Sequence, residues 1–91
     1  MVTAIVLVCA ERGRVNNVAQ ALLEIEGVSE VYSVGGRFDL VAILRLASNE
    51  VLAEVVTEHL QKVQDIRETE TLIAFKALSR HDLESMFSIG L

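Results

Sequence analysis

The sequence predicts an α+β domain of order β-α-β-β-α-β, and three observations predict it. Short apolar runs rich in β-branched residues alternate with stretches whose apolar residues recur at helical spacing. The two halves of the chain align without a gap at a constant offset of 38 positions, matching Ala4 with Ala42, Ile5 with Ile43, Val6 with Leu44, Val18 with Val56, Leu22 with Leu60 and Val28 with Ile66. With 91 residues and no proline, the chain has room for one domain and no linker. Such self-similarity belongs to a split-βαβ, ferredoxin-like sandwich, in which two βαβ units interleave into one antiparallel sheet. Right-handed crossovers place both helices on the same face of that sheet.

Each element has its own signal. Val2 to Cys9 is a β-branched apolar run and forms the first strand. Val15, Val18, Ala19, Leu22 and Ile25 recur as one helix face, and Gly27 is the C-terminal stop. Val28 to Val34 alternates apolar and polar residues, as a half-exposed strand does. Gly35 and Gly36 permit a tight reversal into the third strand, Leu40 to Leu46. Ser48 or Asn49 caps a second helix, with Glu50 in its first turn and Leu52, Val55, Val56, Leu60 and Val63 on one face. Ile66 to Phe75 is the fourth strand. The tail SRHDLESMFSIGL opens with Ser79 three residues before Asp82 and spaces Leu83, Met86 and Phe87 as a short amphipathic helix. A domain over 1–78 and a helical tail over 79–91, packed on its own subunit or a neighbour, are therefore expected.

Alternation along the first and third strands carries a further consequence. Ala4, Val6 and Val8 point to one face of the sheet, and Ile5, Leu7 and Cys9 to the other. In the third strand Leu40, Ala42, Leu44 and Leu46 share one face, opposite Val41, Ile43 and Arg45. Both faces are apolar, yet two helices cover only one. Leaving five aliphatic side chains wet would forgo roughly 7 to 15 kcal/mol, comparable with the whole stability of a small domain. A homodimer packed sheet to sheet is the expected solution.

The composition narrows the function classes. The net charge is −5, and the eight basic residues are scattered rather than gathered in a stripe. That argues against direct nucleic-acid binding, because phosphate neutralisation supplies most non-specific affinity. Only four aromatic residues, Tyr32, Phe38, Phe75 and Phe87, are present to stack bases. The opening VTAIVLVCA is too short to span a membrane and lacks the basic n-region of a secretory signal, so a cytoplasmic location is expected.

Groups suited to chemistry are sparse. His59 falls near the apolar stripe of the second helix and His81 in the first turn of the tail. Neither has a cysteine or carboxylate at metal-ligand spacing, so no metal or other cofactor is expected. Cys9, the single cysteine, has no disulfide partner and reads as a small apolar filler. Glu58 and Lys62 are spaced for an i,i+4 ion pair on a solvated helix face. Glu68 and Glu70 share one side of the fourth strand, with Thr69 and Thr71 on the other. The central hairpin is different: beyond its turn role, Gly35 and Gly36 leave backbone N–H groups open to an anion, and Asp39 stands ready for an ammonium group or for its own turn.

The segments VSEVYSVGGRFDLVAILR and TETLIAF resemble the effector-sensing (RAM) domain of the Lrp/AsnC family of leucine- and asparagine-responsive regulators, over about the first 78 residues. The family signature is matched by Val34, Gly36, Phe38, Asp39 and Val41. Gly35 stands where the family usually has Thr, and Phe38 where it often has Tyr. The resemblance implies sheet-to-sheet dimers that assemble into octamers or similar rings, with a site for an amino acid or related metabolite between dimers. Gly35, Gly36, Arg37, Phe38 and Asp39 would form the hairpin side, and Thr69, Thr71 and Ile73 the strand-four side contributed by another dimer. A chain whose first strand begins at its start implies a stand-alone sensor without its own DNA-reading domain, which could associate with full-length regulators. An alternative reading is a dimeric ferredoxin-like enzyme of the monooxygenase or isomerase type, with His59 as its one candidate group. A purely structural oligomer is the third.

Overall fold

A computed structural model describes residues 1–78 and residue 80. Four strands, β1 (Val2–Ala10), β2 (Val28–Ser33), β3 (Leu40–Leu46) and β4 (Ile66–Ile73), form one antiparallel sheet in the order β2-β3-β1-β4. Helix α1 (Val15–Leu23) joins β1 to β2, and a helical stretch beginning with α2 (Asn49–Glu54) joins β3 to β4. This is the predicted ferredoxin-like architecture. The expectations for the tail, including His81, Leu83, Met86 and Phe87, fall outside the described residues.

The period-two pattern sorts the sheet as expected. Ala4, Val6, Val8 and Ala10 of β1 and Leu40, Ala42, Leu44 and Leu46 of β3 are buried, together with Val18 and Leu22 of α1 and Leu52, Val55 and Leu60 of the second helical stretch. Both helices therefore lie on one face. On the other face, Ile5 pairs with Ile43 and Leu72, and Leu7 pairs with Val41 and Glu70. Ile5, Leu7, Val41 and Ile43 are only half-buried, and among the described residues no element covers them.

Besides β4 ending at Ile73, two residues short of the expected Phe75, three local features depart from the spacing-based expectation. Helix α1 ends at Leu23, and a turn over residues 24–27 brings Ile25 against the core. Gly27 is thus not the helix stop but the corner into β2: its φ is +101°, and a Cβ there would collide with the Leu46 side chain. In β2 a bulge falls between Val28 and Glu30, so Ser29 is left out of the ladder. The strand then ends at Ser33, one residue early, although Val34 N–H still donates to the Asp39 carbonyl at 3.0 Å.

The second helix changes pitch. Ser48 is its N-cap, its hydroxyl accepting from Val51 N–H at 3.3 Å. After Glu54 the chain widens into a π-helical turn over Val55–His59 and tightens to a 3₁₀ turn over Leu60–Lys62. Leu60 N–H donates to the Val55 carbonyl, which brings two buried residues five apart onto one face. An unbroken α-helix would have presented His59 there. Instead His59 is exposed, and Glu58 and Lys62 are not paired among the described residues. The apolar stripe is the expected one, but the helix geometry that aligns it is not.

Candidate functional site

The hairpin between β2 and β3 closes at the Val34 to Asp39 bond and carries Gly35, Gly36, Arg37 and Phe38 at its tip. Only Gly36 has a positive φ, +132°; a Cβ at either glycine would meet no atom within 4 Å. The conformational demand of the turn therefore rests on Gly36, while the site of Gly35 is simply open. Arg37 lies with its guanidinium carbon 5.0 Å from the Phe38 ring centroid, a cation–π contact at an otherwise exposed tip.

Asp39 has a structural task as well. Its backbone N–H donates to the Val8 carbonyl at 2.9 Å, and its Oδ2 accepts from Ala10 N–H at 2.9 Å. Leu40 is the last β3 residue paired with β1, so Ala10 has no strand partner on that side. The carboxylate takes that place and satisfies a backbone donor that would otherwise be lost. Oδ1 makes no hydrogen bond among the described residues. Cys9 Sγ donates to the Arg37 carbonyl at 3.5 Å, so the tip is drawn over the open face at the end of β1. No spacing rule foretells these contacts, because the partners lie 28 and 29 positions apart.

The strand-four candidates lie elsewhere. By register, Thr69, Thr71 and Ile73 sit opposite Val8, Val6 and Ala4, on the helix-bearing face, while Glu68 and Glu70 sit opposite Cys9 and Leu7 on the open face. Because β4 is an edge strand, the helices do not cover it: Thr69 and Ile73 are exposed and Thr71 half-buried. Thr71 and Ile73 line a cleft of about 700 Å³ between β4 and the second helix, with Val2, Leu52, Ala53 and Val56 among its walls. Thr69 borders a separate groove with Leu60, Val63 and Ile66. A single chain therefore brings together the five hairpin residues, and separately Thr71 with Ile73, but not the two groups.

A polar cluster that sequence reasoning passed over lies at the β2–β3 edge. Arg45 donates through Nη1 to Ser29 Oγ at 2.7 Å and approaches Glu30 Oε1 at 3.5 Å, while the Tyr32 hydroxyl donates to Glu30 Oε2. The hydrogen bond from Tyr32, with help from Arg45, holds the Glu30 carboxyl below its ordinary value, and the same bond pushes the Tyr32 phenol up. Its only trace in the sequence is Glu30 and Tyr32 two apart on a strand. The other ion pair among the described residues, Arg14 to Asp65 at 3.1 Å, ties the start of α1 to the turn before β4. His59 borders two open grooves, one between α1 and the second helix and one between the second helix and the end of β3 at Arg45 and Leu46. No described group of His, Cys, Asp or Glu is placed to hold a metal ion, and no described helix is long and apolar enough to cross a membrane.

Comparison with known proteins gives this geometry a context. A crystal structure of TTHA0845 from Thermus thermophilus superposes with a TM-score of 0.81 at 44% sequence identity, covering 88% of this chain and all 100% of that one. The Neisseria meningitidis transcriptional regulator NMB0573, solved as its L-Met complex, shares the fold with a TM-score of 0.76 at 11% identity, over 87% of this chain and 53% of that one. An uncharacterized HTH-type transcriptional regulator of Pyrococcus furiosus, PF0250, is 33% identical over 58 residues, 64% of this chain. The matched stretch spans only 39% of that regulator's length. The Lrp/AsnC ligand binding domain family matches residues 3–83, nearly the whole sequence, and the chain belongs to that family.

Proposed function

We propose that this domain senses an amino acid or related small metabolite through a site shared between copies of the chain, and that ligand binding shifts its assembly or its association with full-length regulators of the family. The observation that carries the reading is the separation of the two half-sites. Asp39 is bonded to Val8 and Ala10, whereas Ile73 pairs with Ala4, about 13 Å from Val8 and about 20 Å from Ala10 along β1 at the rise of a strand. The Arg37 carbonyl reaches Cys9 on the open face, while Thr71 and Ile73 occupy the helix face. One small ligand touching both needs a second copy. In that arrangement the hairpin N–H groups receive the carboxylate, and Asp39 Oδ1 receives the ammonium group. The L-Met complex of the Neisseria regulator supports an amino acid as the class of ligand.

Assembly follows from the uncovered face. Sheet-to-sheet dimers would bury Ile5, Leu7, Val41 and Ile43, and dimers meeting at the hairpins would form the ring. The ligand shifts that equilibrium only by binding one assembly better than another.

Calorimetric titration with the amino acids, paired with native mass spectrometry, tests this reading. At least one amino acid should bind and change the distribution of assemblies. Asp39→Asn keeps an oxygen for Ala10 N–H but removes the charge, so it should keep the fold and weaken binding about 10-fold or more. Asp39→Ala should also lower stability, having lost the Ala10 acceptor. The absence of both binding and any assembly change across the amino acids overturns the proposal.

A further inference from the structure

The two margins of the open face differ in how their charges are satisfied. On the β2–β3 side Arg45 and Glu30 neutralise each other within the chain: Arg45 Nη1 donates to Ser29 Oγ at 2.7 Å and approaches Glu30 Oε1 at 3.5 Å, and the Tyr32 hydroxyl donates to Glu30. On the β4 side Glu70 stands opposite Leu7, two residues from Leu72 on the same face, exposed and without an ion pair among the described residues. Glu68 lies opposite Cys9 near the start of the strand, where Arg67 borders the same edge groove. Arg37, at the hairpin tip, lies against the Phe38 ring with its carbonyl at Cys9. Glu70 is therefore a carboxylate with no described counter-charge on the rim of an apolar face that another sheet would cover.

We infer that Glu70 selects the partner of this face, and that the partner it fits is a related four-stranded sheet presenting a lysine or arginine opposite it, in preference to a second copy of this chain. The inference deepens the function proposed above, on whose sheet-to-sheet association it rests. A second copy offers no such cation in either aligned two-fold packing of two sheets. Where like margins meet, Glu70 approaches Glu68 and Glu70 of the other copy. Where unlike margins meet, it approaches the β2–β3 side at the level of Leu7, which Val41 and Tyr32 occupy beside Glu30. Arg45 pairs with Thr3, four residues along β1 and about 13 Å away at the rise of a strand, and it is already engaged. Covering the face strips water from Glu70, which then meets carboxylates or a phenol instead of a counter-charge. Self-pairing bears that cost twice by symmetry, and a basic partner removes it.

Isotope-labelled wild type, mixed with unlabelled wild type, Glu70→Lys or Glu70→Gln, tests the assignment by native mass spectrometry and by sedimentation at low and high salt. The lysine variant stands for a basic partner. Glu70 is exposed on an edge strand and both replacements are of similar length, so the fold is kept, which far-UV circular dichroism checks. Wild type should pair with Glu70→Lys about 10-fold more tightly than with itself at low salt, and the gain should shrink at high salt. Glu70→Gln should pair with itself more tightly than wild type does, and it decides alone should Glu70→Lys fail to fold. Wild type pairing with Glu70→Lys no better than with itself, or Glu70→Gln self-association no tighter than that of wild type, overturns the inference. Either result makes a second copy the natural occupant and leaves the sensing role standing. Dimers absent from every mixture overturn the inference together with sheet-to-sheet association itself.

Discussion

The two faces of the sheet are built from the same strands and similar residues, yet they end in different states. On the helix face, Ala4, Val6, Val8, Leu40, Ala42 and Leu44 are 0–1% exposed. On the open face, Ile5, Leu7, Val41 and Ile43 remain half-buried, Leu72 is 46% exposed, and the margins carry Glu30, Arg45, Glu68 and Glu70. The difference teaches that, among the described residues, one face is completed within the chain and the other is left uncovered. An apolar centre with a polar rim is the usual anatomy of a surface made to be covered by another protein surface. The helix face measures what packing achieves among the described residues; the open face measures the apolar surface they leave over.

The comparison breaks most visibly on the helix face. Leu44→Ala removes a fully buried side chain and should lower the stability of the domain by about 2–5 kcal/mol, in chemical denaturation monitored by circular dichroism. Its effect should persist in whatever assembly state the protein is brought to, because the lost packing is internal to the chain.

Substitution on the other face should separate folding from association. Ile5→Lys places a charge at the centre of the open face, opposite Ile43 and Leu72. The monomer keeps its helix-face core, while a sheet-to-sheet dimer would have to bury an unpaired ammonium group. Sedimentation velocity should show dissociation, with dimer affinity reduced by about 100-fold or more, and far-UV circular dichroism should be preserved. A folded variant with an unchanged sedimentation coefficient would locate the dimer elsewhere.

The smallest expected effect lies at the rim of that same face. Because the Glu30 pKa is lowered in the fold, its contribution to stability is present above the unfolded carboxylate range and is lost as pH falls through the folded value. For Tyr32, whose pKa is raised, the contribution is present below the ordinary phenol range and is lost as pH rises through the folded value. Tyr32→Phe removes the leading cause of the Glu30 shift, so the Glu30 titration followed by carboxyl-carbon NMR should move back toward an ordinary carboxylate. Tyr32 is 50% exposed and the Glu30 side chain 44% exposed, so solvent screening should keep the accompanying change in stability slight.

Much of this was legible in the chain. The offset repeat and the period-two strands identify the architecture because backbone hydrogen bonding and side-chain alternation are local rules that any sequence must obey. Gly35 and Gly36 marked the hairpin for the same reason, since a tight reversal leaves its own residue pattern, whereas the signature of Phe38 and Asp39 stood out only through the family resemblance. The pitch change in the second helix was not legible. Val55 and Leu60 are both apolar, and only packing against the sheet decides that a π turn bringing both inward outweighs an unbroken α-helix. Nor was the tie from Asp39 to Ala10, which exists because β3 begins at Leu40, opposite Val8, and leaves Ala10 two residues beyond its reach.

The sequence by itself determined the order of the elements, the face on which each strand residue lies and the excess of apolar surface, because these follow from periodicity and composition. Only the tertiary structure decided that β4 stands at the sheet edge, opening a cleft against the second helix beside Thr71 and Ile73. It likewise decided that the hairpin and strand-four residues lie apart on different faces of one chain. Distances between residues remote in sequence depend on how strands pair and helices pack, and no local pattern encodes them.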